Sequence, residues 1–346
     1  MQKSECRNPR PPKEPGVVKI AVDAAGITRR SIWGMADIEA GRPMTEDTIL
    51  WMASTGKTIT AMAFMMLVDD GKAALDDPAF KYLPHFKNLF RKVSGPDGSA
   101  TFVREKKTVT IRHLLSHTAG LEFLPGFFQT QELSYISLET QSHLYAASPL
   151  MFEPGTNWNY SNAGINVAGR IIEVVTGVSY EEFVRARLFE KLGMRDSGYR
   201  LNAEQLGRRA AGYGYDPEQK AWIRHGTVDQ MRILPYDDPD RHAECGGGLF
   251  STPADMAKLA QLIANRGVFN GQTIISLNAL REICRRQTPE TIQKAYGLGS
   301  DVGTVGHGGA WATNMRVDLG LQKGALLLVQ RIGDWPENPA IDPLEP

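Results

Sequence analysis

The chain has 346 residues, more than one ordinary hydrophobic core fills, so one large domain or two domains is the starting expectation. Its composition, 42% hydrophobic and 23% charged with a mean hydropathy of −0.29, is typical of a globular protein and excludes an intrinsically disordered one. The 39 basic residues balance the 39 acidic residues. Because nucleic-acid binding requires a basic excess, this balance argues against a nucleic-acid partner.

The sequence predicts neither a membrane span nor a disulfide framework. No run of about 18 apolar residues occurs, which a spanning helix would need. The first 16 residues lack the apolar core of a signal peptide, so we expect a cytoplasmic protein, although an exported protein whose leader has been removed would also fit. The three cysteines, Cys6, Cys245 and Cys284, are odd in number and far apart, and they form no metal-ligand pattern.

The first predicted elements are a strand over 17–23, a turn, and a return strand over 27–35. A nearly all-apolar segment over 54–70 then predicts a helix that ends at Gly71. A helix that is apolar around its whole circumference is usually buried, so we expect this helix at the centre of the fold.

Later segments predict helices joined by long Gly- and Pro-rich loops, followed by strands. The predicted helices cover 110–120, 162–176, 179–193 and 252–267. The predicted strands cover 296–302, 304–307, 315–319 and 325–330. Strands at both ends with helices between them predict an α/β (α+β) fold. In it, residues 1–75 and 245–346 form a discontinuous sheet domain, residues 76–244 form a mostly helical insertion domain, and the active site lies at their interface.

The most informative segment is Trp51-Met-Ala-Ser54-Thr-Gly-Lys57-Thr58. Its Gly-Lys-Thr matches the end of a phosphate-binding P-loop, but Trp51 replaces the glycine that begins that motif and argues against a nucleotide site. The Ser-x-x-Lys spacing places Ser54 and Lys57 on one helix face, where a buried lysine loses its charge more readily and accepts a proton. A plain serine helix cap followed by an incidental lysine would give the same pattern.

Two later motifs accompany the Ser-x-x-Lys pair. Tyr160-Ser-Asn precedes a predicted helix, and Gly-His307-Gly-Gly-Ala lies at the edge of a predicted strand. Taken alone, the first motif is explained by an aromatic anchor and an asparagine helix cap. The second is explained by a bulge or bend in the strand.

Together, in this order and spacing, the three motifs resemble those of the serine β-lactamase and penicillin-binding-protein family. The branch is the class C β-lactamase-like one, which includes the family VIII carboxylesterases. Segments over 34–37, 110–121, 153–155 and 246–248 also look like this family, so the resemblance runs from about residue 16 to residue 330. It implies an antiparallel sheet flanked by helices, with no metal and no cofactor.

The resemblance also implies roles for individual residues. Ser54 would be the acylated nucleophile and Lys57 its proton acceptor, while Tyr160, as phenolate or through a proton shared with Lys57, would act as general base and then acid. The residues implied in substrate binding and oxyanion stabilisation are Asn162, His307, Gly308, Gly309 and Ala310. The backbone N–H groups of Ser54 and Ala310 would form the oxyanion hole. The two glycines would let a substrate lie beside the strand.

Two features depart from the family pattern. His307 stands where β-lactamases have the lysine of Lys-Thr-Gly, and a histidine of ordinary pKa is mostly neutral at pH 7, so we expect neutral esters to be preferred over carboxylate-bearing β-lactams. Both chain ends are Pro-rich, and neither is expected to form the helix that the family packs on its sheet. We therefore expect the ends, or a second subunit in a homodimer, to cover that face.

The expected function is a serine hydrolase acting on a small-molecule ester or amide, most simply a carboxylesterase for short-chain esters with weak β-lactamase activity. The same residues serve a β-lactamase, a D-amino-acid peptidase or transpeptidase and an acyltransferase, so these remain alternatives. An inactive binding protein is least expected because the nucleophile, lysine and tyrosine are all present. His113 and His117 have the spacing of metal ligands, but the H-E-x-x-H glutamate is missing and we expect no metal there.

Overall fold

The structure is a computed structural model, and it describes residues 14–124, 133–225, 238 and 240–333. The strands are β1 (Val17–Asp23), β2 (Gly26–Trp33), β3 (Met35–Asp37), β4 (Arg42–Pro43), β5 (Leu50–Trp51), β6 (Phe90–Ser94), β7 (Ala100–Arg104), β8 (Gly212–Asp216), β9 (Ala221–His225), β10 (Phe250–Ser251), β11 (Val268–Phe269), β12 (Gln272–Thr273), β13 (Val305–Gly309), β14 (Thr313–Asp318), β15 (Lys323–Val329) and β16 (Arg331–Ile332). The α-helices are α1 (Gly56–Asp69), α2 (Ile111–Leu115), α3 (Leu138–Ala147), α4 (Asn162–Thr176), α5 (Tyr180–Val184), α6 (Glu190–Leu192), α7 (Ala203–Arg208), α8 (Pro253–Ala264) and α9 (Leu277–Cys284). A π-helical turn (Arg185–Phe189) joins α5 to α6.

The largest sheet has five strands in the order β13-β14-β15-β1-β2, and all neighbours are antiparallel. Strand β1 pairs with β15 from Val17 opposite Val329 to Asp23 opposite Lys323. Segments from both ends of the described chain therefore form one sheet, and the predicted antiparallel sheet flanked by helices is confirmed.

Helix α1 lies at the centre of the molecule, as its apolar sequence predicts. Every residue from Gly56 to Leu67 is buried. Helix α8 packs on one face of the sheet, where Val18, Ile20 and Val22 of β1 join the main hydrophobic core. Each fully buried aliphatic side chain of this kind stabilises the fold by about 1.5–3 kcal/mol. The N-terminal end of α1, which follows the candidate nucleophile Ser54, thus belongs to a well-packed element.

The segment between the two parts of the sheet is mostly helical, with two hairpins, β6–β7 and β8–β9. Helix α4 packs against α1, α2 and α3, so it connects this segment to the central helix. Strand β16, which follows the sheet strands, pairs in parallel with β8 through Arg331 and Tyr213. The division into domains at residues 75 and 245 stays a prediction.

Two predicted elements are wrong. Residues 296–302 form no strand but a loop whose first five residues are buried, and the carbonyl oxygen of Gly299 accepts a hydrogen bond from Thr58 Oγ1 of α1 at 3.1 Å. The apolar residues of this segment therefore mark burial rather than sheet pairing. The helix predicted over 110–120 ends at Leu115, because His117 adopts a left-handed backbone conformation with φ 61° that an α-helix does not allow.

The return strand predicted over 27–35 is interrupted at Gly34, which separates β2 from β3. Gly34 has φ 78°, and a Cβ atom there would lie 2.8 Å from Gly16 Cα. Close approach of two backbone segments thus explains both the glycine and the break.

The predicted cover for the second face of the sheet concerns residues 1–13 and 334–346, which lie outside the described residues. The homodimer stays a prediction. Among the helices of the described segments, none is both long enough and apolar enough to cross a membrane.

Candidate active site

Ser54 lies in a tight 3-10 turn (Ala53–Thr55) immediately before α1. Ala53 has φ 47°, a conformation that costs a non-glycine residue about 1–3 kcal/mol and persists only where the surroundings hold it. The backbone N–H of Met52 donates to Leu249 O at 2.9 Å, and Thr55 Oγ1 donates to His307 O at 3.2 Å. Strained backbone therefore presents the half-buried Ser54 side chain at the end of the central helix.

Lys57 follows one turn later and is completely buried. Its Nζ atom lies 3.0 Å from Ser54 Oγ, 2.6 Å from Asn162 Oδ1 and 2.5 Å from Gly246 O. Burial lowers the pKa of Lys57 from 10.5 to about 7, and the Glu244 carboxylate opposes this effect. Burial therefore brings Lys57 much closer to its neutral form at pH 7 than an exposed lysine, with its amine beside the Ser54 hydroxyl.

Tyr160 lies above this pair, on the loop that precedes α4. Lys57 Nζ is 4.7 Å from the centre of the Tyr160 ring, and the Tyr160 hydroxyl is hydrogen-bonded to Ser54. Burial raises the pKa of Tyr160 well above its usual value of 10. The hydroxyl thus remains protonated at neutral pH, so the lowered pKa of Lys57 makes the lysine, and not a tyrosinate, the stronger candidate for the base.

His117 supports the Tyr160 loop. Its Nδ1 atom accepts a hydrogen bond from Ser161 N at 3.3 Å, its carbonyl oxygen accepts one from Asn159 N at 2.9 Å, and its ring centre lies 4.7 Å from that of Tyr160. Its Nε2 atom faces the Tyr296 hydroxyl at 3.3 Å, which fits a proton on Nε2. Burial lowers the pKa of His117 well below its usual value, so this imidazole is neutral. His113, four residues before His117, does not face this site: its side chain forms the capping box of α2 with Thr110.

His307 lies on β13, the edge strand beside the nucleophile. Its ring centre is 5.9 Å from that of Tyr160 and 6.0 Å from that of Tyr296. Burial, together with the charge of Lys57, lowers the pKa of His307 to about 4, against the opposing effect of the Gly308 carbonyl oxygen. His307 is therefore uncharged at pH 7 and offers no full positive charge to a substrate.

The two glycines after His307 differ in what surrounds them. A Cβ atom at Gly308 would meet no atom closer than 3.8 Å, whereas one at Gly309 would lie 2.1 Å from Thr313 Oγ1 and 2.4 Å from Met52 O. Gly309 is thus required by packing against the nucleophile turn, while the open side of Gly308 leaves room beside the strand. Ala310 is exposed at the start of the β13–β14 turn.

Asn162 is the first residue of α4, and the side chain of Ser161 caps this helix by accepting from Ala163 N at 3.0 Å. While Asn162 Oδ1 accepts from Lys57, its Nδ2 atom is buried without a hydrogen-bond partner among the described residues. A buried donor without a partner costs about 1–3 kcal/mol. The amide is consequently suited to hold Lys57 and to donate to a substrate carbonyl.

The structure brings the side chains of Ser54, Lys57, Tyr160, Asn162 and His307 together from three separated segments. Three further residues of the site, Tyr296, Glu244 and Thr313, belong to none of the sequence motifs described above. Glu244 precedes the Gly-rich segment 246–248 that resembles the family, and an acidic residue at such a place was an available signal. Over residues 14–124, 133–225 and 240–333, no group of three or more His, Cys, Asp or Glu side chains could hold a metal ion.

Comparison with known proteins agrees with these observations. The sequence matches the family model described as Beta-lactamase over residues 10–343. Esterase EstB from Burkholderia gladioli is 29% identical over 349 residues, which cover 90% of this chain and 85% of that protein. Lovastatin esterase from Penicillium rubens is 30% identical over 266 residues, 73% of this chain and 65% of that protein. The solved structure of EstCE1, described as a hydrolase with promiscuous acyltransferase activity, has a TM-score of 0.76 at 21% identity and covers 92% of this chain and 89% of its own.

Proposed function

The chain belongs to the beta-lactamase family of serine hydrolases, and from this premise we propose that it is a carboxylesterase that cleaves short-chain esters through an acyl-enzyme on Ser54. The observation that carries the proposal is the hydrogen bonding of Lys57. A neutral amine has two N–H donors and one lone pair. The carbonyl oxygens of Asn162 and Gly246, at 2.6 and 2.5 Å, take both donors. The lone pair is left for the Ser54 hydroxyl at 3.0 Å, as general-base catalysis requires.

In the first step, the proton of Ser54 Oγ moves to Lys57 Nζ while Oγ forms a bond to the ester carbonyl carbon. The carbonyl π electrons move to the oxygen, and the resulting oxyanion accepts hydrogen bonds from the backbone N–H groups of Ser54 and Ala310. Donors placed in advance at a developing oxyanion contribute about 3–4 kcal/mol each to the rate.

In the second step, the oxyanion collapses and the bond to the leaving alkoxide breaks. The protonated hydroxyl of Tyr160 donates to the alkoxide and takes a proton from Lys57, which returns to the neutral amine. Water then attacks the acyl-enzyme and loses a proton to Lys57. Release of the carboxylic acid returns that proton to Ser54 Oγ, so atoms and charges balance over the cycle.

The preference for neutral esters rests on His307. With a pKa lowered to about 4, its imidazole is uncharged at pH 7 and cannot form an ion pair with a substrate carboxylate. Carboxylate-bearing β-lactams and D-alanyl peptides therefore lose an interaction that an ester with no charge does not need. We accordingly place β-lactam hydrolysis as a weak secondary activity.

Acyl transfer is the second candidate, and aromatic residues around the nucleophile favour it. The rings of Phe123, Trp158 and Tyr296 lie around Tyr160 and its neighbour His117, with centroid separations of 4.8–6.1 Å. An aromatic surface of this kind favours an apolar alcohol over water as the acceptor of the acyl group. EstCE1, which is described as a hydrolase with acyltransferase activity, has the same fold.

The experiment compares initial rates with p-nitrophenyl acetate and butyrate, nitrocefin and a D-alanyl peptide, with and without added aliphatic alcohol. We expect ester turnover to exceed that of the two carboxylate-bearing substrates, and an ester of the added alcohol to form as a product. Mass spectrometry of the fluorophosphonate-treated protein should locate the adduct on Ser54.

Ser54→Ala should lose both the adduct and the ester turnover while folding normally, since the Ser54 side chain caps no helix. Ser99→Ala, on the exposed side of the β6–β7 turn, is the matched control and should keep both. An adduct on another serine, or full turnover by Ser54→Ala, would contradict the proposal.

A further inference from the structure

A carboxyl group lies buried behind the proposed base. Glu244 is 1% exposed, and its Oε1 atom accepts a hydrogen bond from Gly246 N at 3.2 Å. The carbonyl oxygen of the same Gly246 accepts the hydrogen bond of Lys57 Nζ. One backbone residue therefore connects the carboxyl group to the amine. A Cβ atom at Gly246 would lie 2.8 Å from Glu244 Oε1 and 2.7 Å from Asn162 Cγ, so both side chains close around this residue.

The second carboxyl oxygen of Glu244, Oε2, does not share the hydrogen bond that Oε1 accepts. Within the described part of the chain, Oε2 is buried and has no hydrogen-bond partner. A buried carboxylate without a counter-charge is too costly to be kept, so its retention requires a favourable electrostatic interaction nearby. Burial raises the pKa of Glu244, whereas Lys57, hydrogen bonds from the Asn166 side chain and the Gly246 N–H, and the charge of Arg241 act to lower it. Lys57 has the largest of these lowering effects, so it is the first candidate for that interaction.

Apart from Arg241, the groups around Lys57 and Glu244 carry no full charge near pH 7. The titratable and charged groups that face Lys57 or Glu244 from neighbouring elements are Arg241, His117, His307, Tyr145, Tyr160, Tyr180 and Cys245. Burial lowers the pKa of both histidines and raises the pKa of the three tyrosines and the cysteine. Three groups consequently decide the local field: Arg241, Glu244 and Lys57.

The charge on Lys57 changes during the reaction, while its hydrogen-bonded neighbours stay neutral. The amine accepts from uncharged Ser54 and donates to the uncharged oxygens of Asn162 and Gly246. Once it has taken the Ser54 proton, an ammonium ion is buried among these groups. In a medium of low dielectric constant, a nearby carboxylate stabilises such an ion far more than it would in water.

We propose that Glu244 is a positioning residue for catalysis, whose carboxylate stabilises the ammonium form of Lys57 between uptake of the Ser54 proton and its delivery to the leaving group. Hydrogen bonds from Gly246 and Asn166, together with the charge of Arg241, favour the ionised form of Glu244 also while Lys57 is neutral, so a carboxylate is in place as the ammonium ion forms. This inference rests on the proposed role of Lys57 as the base and adds a second residue that acts through it.

The test measures the rate constant of fluorophosphonate labelling of Ser54 against pH, because this reaction needs no knowledge of the natural substrate. Glu244→Gln keeps the shape and removes the charge. The Lys57 ammonium is then less stable, so its pKa falls. We therefore expect the acid limb of the profile, which is the pH range over which the labelling rate rises as Lys57 loses its proton, to move to lower pH by about one unit. We also expect the plateau rate to fall by up to about tenfold, since a base of lower pKa is weaker.

The matched control is Asp255→Asn. Asp255 is another buried carboxylate, 4% exposed, but it accepts from Asp196 N at 2.9 Å and pairs with Lys258 at 2.9 Å on α8. Its loss should lower the melting temperature and leave the acid limb of labelling in place. A shift of the limb in both variants would show that destabilisation alone moves it and would overturn the proposal.

The outcomes separate this inference from the proposed function. Wild-type protein that forms no adduct on Ser54 would contradict the proposed function itself. An adduct on Ser54 with the same acid limb in wild type and Glu244→Gln would overturn the role of Glu244 alone. Should Glu244→Gln not fold, infrared spectroscopy of the labelled wild-type protein at about pH 8 decides: we expect no absorption of a buried protonated carboxyl group, and its presence would overturn the inference.

Discussion

Thr313 Oγ1 donates a hydrogen bond of 2.8 Å to the carbonyl oxygen of Met52, 261 residues earlier in the chain. The same hydroxyl lies 3.0 Å from Thr55 Oγ1, on the other side of Ser54. Thr313 of strand β14 therefore contacts the residues before and after the Ala53–Ser54 part of the turn. The strained φ of Ala53 within that turn is held by these contacts rather than by its own preference.

The first prediction compares alanine at the two glycines of β13. Gly309→Ala places a methyl group 2.4 Å from Met52 O and must displace the nucleophile turn, so we expect a large loss of kcat and a lower melting temperature. Gly308→Ala meets no atom within 3.8 Å and should fold like the wild type, with any effect confined to KM. Thermal unfolding and esterase kinetics measure both. Equal losses of stability in the two variants would contradict the difference in packing.

The second prediction concerns the shared proton path of Lys57 and Tyr160. Each of Lys57→Ala and Tyr160→Phe should lower kcat/KM by about 10²–10⁴-fold, the usual contribution of general acid–base catalysis. The double variant should lose little more than the worse single variant, because residues that act as a unit give non-additive effects. Esterase kinetics of the three variants provide the test. Losses that multiply would indicate that the two residues act in separate steps.

The third prediction concerns the pH profile of the wild type. Lys57 must be neutral to accept the proton, and its pKa is lowered to about 7, so kcat/KM should rise with pH through about 7 and then stay level. The pKa of His307, lowered to about 4, lies below this range, and His307→Gln should leave the limb where it is. Because the pKa of Tyr160 is raised, activity should not fall near pH 10. Measurement with p-nitrophenyl butyrate from about pH 5 to 10 tests all three statements.

The fourth prediction restores a charge at the edge strand. His307→Lys places an ammonium group where the neutral imidazole lies, and an ion pair with a substrate carboxylate is stronger in a partly buried cleft than in water. The ratio of nitrocefin to p-nitrophenyl butyrate turnover should therefore rise by about tenfold or more, as one charge-assisted interaction allows. His307→Gln, which adds no charge, is the control. An unchanged ratio in His307→Lys would show that charge at this position does not select the substrate.

The sequence predicted best the elements whose signals are local. Helix α4 begins at Asn162 and ends at Thr176 as predicted, because Ser161 caps its first turn and Gly177, with φ 74°, ends it. The pairing of Ser54 with Lys57 likewise needed only the three-residue spacing along one turn.

The remaining features depend on contacts between distant segments. The loop after Tyr296 has the apolar pattern of a strand, yet its backbone bonds to α1, which no local pattern reveals. His117 is placed by Ser161 and Tyr296, 44 and 179 residues away, so its supporting role beside Tyr160 cannot be read from its neighbours in sequence. The sequence suggested an ordinary pKa for His307, whereas burial beside Lys57 lowers this pKa to about 4. Burial depends on the folded structure, so no sequence pattern predicts this pKa.

The order of strands in the large sheet also constrains when activity can arise during synthesis. The nucleophile and its lysine leave the ribosome within the first sixth of the chain, but the strand that flanks them, β13, and the hydroxyl of Thr313 come after residue 304. Until then β1 has no partner in β15, and the apolar helix α1 lacks much of its cover. A nascent chain therefore carries an exposed hydrophobic segment and an incomplete candidate site for most of its translation. We expect truncation before residue 329 to abolish function, because it removes part of the strand that pairs with β1.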